Sequence, residues 1–518
     1  MTSSVTPPGD VQTFRAEPIS HRATGERSRG TAFWALLPAL VTAAVVYRQA
    51  GTRALWEDEY VTWHAVAMSW SDLGRMLTNV DLVHAFYYVV MRGWVAVAGD
   101  SLLTLRIPSL AAMVVTAAAA TLIGRRLAGT RVGVVGGLLL ALIPSISRYA
   151  QEVRSYALVT MLVTVSTWFL LRAVERPTWP RWFSYALTLA LAGLGHFLSF
   201  AVLGAHLLYA LLATRSTDEI RRWRFAGAAA GACLVVIPLP ALASRQSGQV
   251  SWLADDKRAP VELPARLFLA DHLAYAVILL ALLGAVLLWR KSRAGTVLLL
   301  AWAAVPILFI YASSPVLHLL AARYVLFTLP AFTLLAAGAI VFLFGPYGAK
   351  KAGARWMLSA ALVLPGLAYL AVDGYREVRT SPVKGQPGYA PAFAYIAAKT
   401  QPGDGIVYND RFRTHLARTA AEYELRAETR TGRAPKDVLL TRTAAQVGRF
   451  GAEECPDPAP CLSGNKRLWL LSTGTGKQPW EGMKPAAAAI LDHDFSAGEV
   501  QQFPRIRVVL LTRKAPGS

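Results

Sequence analysis

The sequence predicts a polytopic α-helical membrane protein with a small soluble α/β domain towards its C-terminal end. Three observations carry that reading. Charged residues are only 16% of the 518 residues, where soluble domains use about a quarter. The apolar residues come in runs of about 17–25, the length a helix needs to cross a bilayer. No such run follows residue 373. A membrane β-barrel would alternate apolar and polar residues in short segments, and the chain does not.

Residues 1–30 are polar, contain Pro and Ser, and carry Arg15, Arg22, Arg27 and Arg29. They predict a disordered cytoplasmic tail rather than a signal peptide. Residues 31–372 form the expected membrane domain. Its spanning runs are 32–49, 105–124, 131–147, 153–173, 182–195, 196–213, 225–243, 266–289, 296–313, 320–344 and 356–372.

Loop charge sets the orientation. The loops at 125–131, 172–181, 215–224, 290–293 and 350–355 hold 16 Lys and Arg, and the intervening loops hold 5. The first set is read as cytoplasmic. Most of the net charge of +21 is therefore explained by topology and does not call for a nucleic-acid partner.

Parity then decides the run 84–99. One crossing too many lies between the first outer loop and the loop at 125–131. As a helix this run reaches about 24 Å against a hydrocarbon core of about 30 Å, and it carries Arg92 in its middle. It is read as lying in the outer interface. About eleven crossings remain, and residues 373–518 fall outside as an extracytoplasmic domain.

That domain predicts strands at Gly405–Tyr408, Asp437–Leu440, Leu468–Leu471 and Ile506–Leu511, with a helix over 390–400. Cys455 and Cys461 bracket CPDPAPC, a spacing suited to a local disulfide in an oxidising compartment. STGTGKQPW (472–480) looks like a phosphate loop but has Leu471 and Gln478 where that motif needs Gly and Ser/Thr. It is read as a surface loop.

The chemistry gathers on the outer face. Glu57-Asp58-Glu59 stands between Trp56 and Trp63, just past the first run. Acids there are costly beside lipid, although a helix N-terminus would also welcome them. Arg148, Gln151, Glu152, Arg154 and Tyr156 cluster where one helix turns into the next. Arg323-Tyr324 lies about one turn into a membrane helix, where an arginine needs a partner or an anionic ligand. His84 and Arg106 fall on the same side. His196, at the outer end of a hairpin, is read as a hydrogen-bonded filler. Acid beside cation under a soluble cap suggests group transfer, with cations on a lipid phosphate and an acid as base.

Over residues 32–345 the sequence resembles the integral-membrane C-type glycosyltransferases, and within them the family-39-like polyprenol- or dolichol-phosphate-mannose transferases. The residues that carry the resemblance are Asp58-Glu59 after a tryptophan, HAFYYVVMRGWVAVAGDSLLTLRIPSL (84–110), SRYAQEVRSYAL (147–158) and ARYVLFTLP (322–330). Members commonly follow the histidine of the second motif with two prolines, where this chain has Ala85 and Phe86.

The resemblance implies a cell-envelope enzyme that moves a sugar, mannose above all, from a polyprenyl-phosphate donor to an acceptor hydroxyl. The acceptor is a protein, a glycolipid or a polysaccharide, and a lipid-linked pentose is the other option for the sugar. The implied reaction is an inverting single displacement, with Asp58 as base and Glu59 orienting Asp58 or the acceptor. Arg154, Arg323, Arg148 and Arg106 would hold the donor phosphate. Substrate contacts are expected from His84, Tyr87, Gln151, Glu152 and Tyr324. Relatives differ on a divalent metal, no ligand spacing here decides for or against one, and no other cofactor is assigned. A lipid-linked sugar flippase would use the same cations without a base, but should show repeats and broken helices at mid-membrane.

Overall fold

The computed structural model describes residues 29–214, 218–246, 248, 258–317, 319–343, 352–380, 385–410, 416–474 and 478–515. The expected tail lies outside them, except that Arg29 and Gly30 open the first helix.

That helix is α1 (Arg29–Tyr47). A long loop follows with three helices of its own, α2 (Glu57–Ala67), α3 (Trp70–Asn79) and α4 (Ala85–Ala98). The bundle continues through α5 (Leu102–Ala128), α6 (Thr130–Leu142), α7 (Pro144–Ala150), α8 (Tyr156–Glu175), α9 (Trp179–Gly195) and α10 (Val202–Ala213). After these come α11 (Glu219–Val236), α12 (Pro238–Ala243), α13 (Ala259–Phe268), α14 (Asp271–Trp289), α15 (Arg293–Leu317), α16 (Leu329–Phe342) and α17 (Ala352–Val378).

Among the described residues, 7 helices are long and apolar enough to cross a membrane, or 8 if α6 and α7 count as one span. Those two meet at 68°. Pro144 stands at the break, at the first position of α7, where a proline gives up no helical hydrogen bond and its fixed φ suits a helix start. The expected crossings at 32–49, 182–195 and 196–213 appear as the shorter helices α1, α9 and α10.

Two expected runs are divided. Residues 266–268 belong to α13, which stops at Leu269 with φ 55°, and α14 starts at Asp271, an acid placed for a helix N-terminus. The run 320–344 opens with a 3₁₀ segment, Ala322–Thr328, and becomes α-helical only from Leu329, with Pro330 in the first turn. Arg323 therefore stands on the 3₁₀ segment, outside any α-helix.

The bundle holds one large apolar core. Helices α14 and α16 cross so closely that a Cβ on Gly284 would run into the Leu335 carbonyl, the small-residue contact usual between membrane helices. The run read as interfacial is α4. Its Arg92 donates to the Val66 carbonyl at 3.1 Å and to the Met68 carbonyl, and lies 4.4 Å over the Trp70 ring.

The remainder is an α/β unit. Its helices are α18 (Tyr389–Lys399), α19 (Ala417–Glu424), α20 (Arg426–Arg430), α21 (Ala444–Val447), α22 (Pro458–Ser463) and α23 (Pro485–Asp494). Its strands are β1 (Gly405–Asn409), β2 (Lys436–Asp437), β3 (Leu440–Arg442), β4 (Glu453–Glu454), β5 (Arg467–Thr473), β6 (Phe495–Phe503) and β7 (Ile506–Arg513). Five of them form a sheet ordered β2-β1-β5-β7-β6, parallel through β5 and antiparallel beyond it, while β3 and β4 pair separately.

Side chains alternate across this sheet, as a pleated strand requires. Ile406, Tyr408, Trp469, Leu471 and Val508 share one core with residues of α2–α4, while Val407, Leu468, Leu470 and Val509 build a second core on the other face. The strand β6 escapes a sequence reading because FSAGEVQQF shows no apolar alternation and is mostly exposed. Cys455 and Cys461 are bonded to each other.

Polar locks fix the α/β unit to α2. His64 Nδ1 lies 2.6 Å from Glu422 Oε2, Tyr60 Oη donates to Glu424 Oε1 at 2.6 Å, and the rings of Trp63 and Tyr423 stand 5.2 Å apart.

Candidate active site

The acidic triplet is the first turn of α2, where acids meet the positive end of the helix dipole. Each acid then has a different surrounding. Glu59 is fully buried. Its Oε2 accepts from the Trp56 amide at 3.1 Å, its Oε1 accepts from the Val153 amide at 2.9 Å, and Arg106 Nη2 lies 3.5 Å away. Glu59 thus caps its own helix and pins the turn at residues 151–155 against it. Glu57 is half-buried: burial first, then the Asp58 and Asp410 carboxylates, push its carboxyl up to about 7. Asp58 keeps 30% of its side chain exposed.

The turn between α7 and α8 is held from several sides. Gln151 Nε2 donates to the carbonyls of Val46 at 2.7 Å and Arg48 at 2.8 Å. Arg53 Nη2 donates to the Gln151 carbonyl at 3.1 Å, and Ser109 Oγ to the Glu152 carbonyl at 2.8 Å. So fixed, the turn delivers Arg154 to Asp58.

Arg154 Nε stands 4.0 Å from Asp58 Oδ2, and Arg323 Nη1 stands 3.9 Å from the same oxygen. Arg154 also donates to His84 Nε2 at 2.6 Å and to Thr62 Oγ1 at 3.4 Å. Burial is the largest influence and opposes the Arg154 cation, but Asp58 together with Tyr88, Tyr156 and Asp81 outweighs it and holds the guanidinium well above its usual range. Burial, then the Arg154 charge, drives His84 well below its usual range. It is neutral and accepts through Nε2.

Aromatic rings line the cations. The Trp56 ring has Arg148 at 5.5 Å and Arg323 at 6.0 Å. Tyr156 and Tyr324 lie 5.9 Å and 5.6 Å from Arg323, and His196 is 4.6 Å from Tyr324. Such cation–π contacts keep a guanidinium oriented where water is scarce.

Several donors around this cluster are buried without a hydrogen-bond partner among the described residues: Trp56 Nε1, His84 Nδ1, Arg154 Nε, Ser155 Oγ and His196 Nδ1. Buried donors are normally satisfied, so their concentration here fits a ligand rich in acceptor oxygens. No group of three or more His, Cys, Asp or Glu among the described residues is placed to hold a metal.

Measured against the sequence reading, the structure brings Asp58, Arg154, Arg323, His84 and Tyr324 together. Arg148 joins at the edge, with Nη1 2.8 Å from Glu152 Oε2. Four expected site residues do other work. Arg106 is fully buried and donates to the Ala50 carbonyl at 2.8 Å, beside Glu59. Glu59 and Gln151 are held by backbone groups, and Tyr87 is buried in the core under α2. The backbone demands satisfaction of its buried polar groups, and these side chains supply it. His196, read as filler, stands in the aromatic wall. Its position beside Phe197 at a hairpin end was the available signal.

The fold has known counterparts. ArnT from Cupriavidus metallidurans, solved bound to undecaprenyl phosphate, superimposes with a TM-score of 0.56 at 15% identity, covering 92% of this chain and 98% of that one. The archaeal oligosaccharyltransferase AglB from Archaeoglobus fulgidus, solved with an inhibitory peptide and a dolichol-phosphate, gives 0.51 at 11% identity, covering 86% of this chain and 70% of that one. Residues 84–241 match the family described as dolichyl-phosphate-mannose-protein mannosyltransferase. The chain shares the fold of these two proteins. The segment matched by the family model includes His84, Arg148, Arg154 and His196, and Asp58 and Arg323 lie outside it. No curated protein matches the chain by sequence.

Proposed function

We propose that the enzyme transfers a sugar, mannose above all, from a polyprenyl-phosphate donor to an acceptor hydroxyl at the outer face of the membrane, with inversion. The observation that carries the reading is one partly exposed carboxylate, Asp58, flanked by two guanidiniums within 4.0 Å. Asp58 takes the proton as the acceptor oxygen attacks the anomeric carbon. The bond from that carbon to the phosphate oxygen breaks, and the phosphate leaves with the electron pair. Arg154 and Arg323, with Arg148 at the edge, meet the charge that develops on it. The intervening state is oxocarbenium-like, as in glycosyl transfer generally. Undecaprenyl phosphate in one structural counterpart and dolichol phosphate in another favour a lipid phosphate as leaving group here.

The loop charges favour a cytoplasmic N-terminus and an extracytoplasmic α/β unit, with a tail over 1–30, a membrane domain over 31–372 and an outer domain over 373–518. The test is direct. Purified protein given lipid-linked mannose and a membrane extract as acceptor should release free polyprenyl phosphate in step with mannosylated product. Intact donor after prolonged incubation, while a lipid-linked pentose is consumed, would move the reading to a pentosyltransferase. Neither donor turning over would remove it.

A further inference from the structure

Arg154 carries its N–H donors in a rigid fork and has no acceptor of its own, so each nitrogen must find an oxygen or an imidazole. Nη2 donates to His84 Nε2 at 2.6 Å, and Nη1 donates to Thr62 Oγ1 at 3.4 Å. Nε is buried without a hydrogen-bond partner among the described residues. It stands 4.0 Å from Asp58 Oδ2, beyond hydrogen-bond reach. The nitrogen that faces Asp58 is thus the one left uncommitted.

Thr62 helps decide which nitrogens are taken. Residues four apart on a helix lie on one face, so Thr62 stands one turn along α2 from Asp58 on the same side. It has no exposed surface. A hydroxyl has one proton to give, and that of Thr62 goes to the Asp58 carbonyl at 3.1 Å, the bond to the preceding turn that threonine makes inside helices. Towards Arg154 the hydroxyl oxygen can therefore only accept. The backbone of Asp58 orients an acceptor for the arginine that the Asp58 side chain does not bind.

This arrangement resolves a conflict. A guanidinium with a free fork closes on a neighbouring carboxylate as a bidentate pair. Such a pair would cover the Asp58 oxygens that must take a proton, and it would occupy the donors that the leaving phosphate needs. Here Nη1 is held on α2, and Nη2 is held by His84 just before α4. Neither can turn to Asp58 without giving up a hydrogen bond.

We propose that Thr62 is a positioning residue for glycosyl transfer: its hydroxyl, oriented by the Asp58 carbonyl, holds Arg154 Nη1 so that the guanidinium meets the leaving phosphate through Nε–H and does not close on Asp58. The inference rests on the transferase reading. Thr62 is fully buried, meets no substrate and acts through Arg154.

Two variants separate hydroxyl from bulk. Thr62→Val keeps the branched shape and removes the hydroxyl, whereas Thr62→Ser keeps the hydroxyl and removes the methyl. The full-length protein in detergent, given lipid-linked mannose and a membrane extract as acceptor, should show kcat per folded molecule at least about tenfold lower in Thr62→Val, the scale of one hydrogen bond to a charged group. The donor KM should stay within about threefold, and Thr62→Ser should recover most of the rate. In an Arg154→Lys background, Thr62→Val should cost much less than it does alone, because residues that act as a unit are not additive. A merely structural role would not produce that coupling. Wild-type kcat in Thr62→Val would overturn the proposal. So would a serine variant as slow as the valine variant, a rise in KM alone, additive losses in the double variant, or a valine variant that fails to fold. Asp58→Asn run alongside keeps the two readings apart. If it is inactive while Thr62→Val is wild-type, the positioning role alone fails. If it is fully active, the transferase assignment fails first.

Discussion

Glu59 and Arg106 form an ion pair at 3.5 Å in which neither side chain has any exposure, one residue along from the partly exposed Asp58. Adjacent acids on one helical turn therefore have separate tasks. Glu59 closes the architecture, and Asp58 stays partly exposed beside Arg154 and Arg323.

The first prediction follows from that division. Breaking a buried ion pair by removing one partner costs about 3–5 kcal/mol, because the other charge is left without compensation. Arg106→Ala and Glu59→Gln should each lower the unfolding temperature of the detergent-solubilised protein. Activity per folded molecule should fall far less than in an Asp58 variant. A large loss of kcat in Glu59→Gln with unchanged stability would return Glu59 to the reacting groups.

Arg323 and Arg154 should govern the donor. Truncating one partner of a desolvated charge pair costs about 2–5 kcal/mol, so Arg323→Ala should weaken donor binding or turnover to that extent while the fold survives. Arg323→Lys should rescue little, because lysine lacks the planar fork and stacks less well between Trp56, Tyr156 and Tyr324. Titration with a lipid phosphate would read this. An unaltered affinity in the alanine variant would make Arg323 a structural cation.

The sequence made most of this site legible through side and spacing. Loop charge and parity assigned Asp58, Arg154 and His84 to one face, and the resemblance tied them to a reaction. What it could not convey was which polar residue is taken by the backbone. Arg106, Gln151 and Glu59 look as reactive in a string of letters as Arg154 does. They differ only because carbonyls at the end of α1 and in the loop after it, and an amide of the α7–α8 turn, converge on them once the chain folds. The locks between α2 and α19 were invisible for a similar reason: His64–Glu422 joins residues far apart in the chain, and no local pattern announces it. Helix breaks at Ile143 and Leu269 were softer misses, since long apolar runs hide a single residue of altered backbone.

Glu57 should give the fold a pH signature. Its carboxyl is raised from 4.5 to about 7 by burial and by the neighbouring Asp58 and Asp410 carboxylates. Between those values the folded chain keeps a proton that the unfolded chain has released. Stability contributed by this group is therefore lost as pH rises from about 4.5 through 7, and stays lost above. Glu57→Gln removes the dependence and should be more stable than the wild type at pH 8 by up to about 3 kcal/mol. Unfolding temperatures of both proteins from pH 5 to 8 would check it. Parallel curves would show that Glu57 is solvated after all.

Asp58 is the residue on which the transfer reading turns. Asp58→Asn keeps the volume, the helix start and the hydrogen-bonding capacity of the side chain, and removes only its ability to take a proton. General-base catalysis contributes about 10²–10⁴-fold, so kcat should fall by at least that range. The donor should still bind, since Arg154 and Arg323 lose a counter-charge and gain freedom to meet the phosphate. The comparison with its neighbours is the sharper measurement. Asp58→Asn should lose turnover at constant stability, Glu59→Gln should lose stability ahead of turnover, and Glu57→Gln should change chiefly the pH dependence. Three variants behaving alike would mean that the acids are a solvated cluster with no division of labour. Wild-type turnover in Asp58→Asn, at matched amounts of folded protein, would mean that the proton leaves the acceptor by another route and that the base must be sought elsewhere around the two guanidiniums.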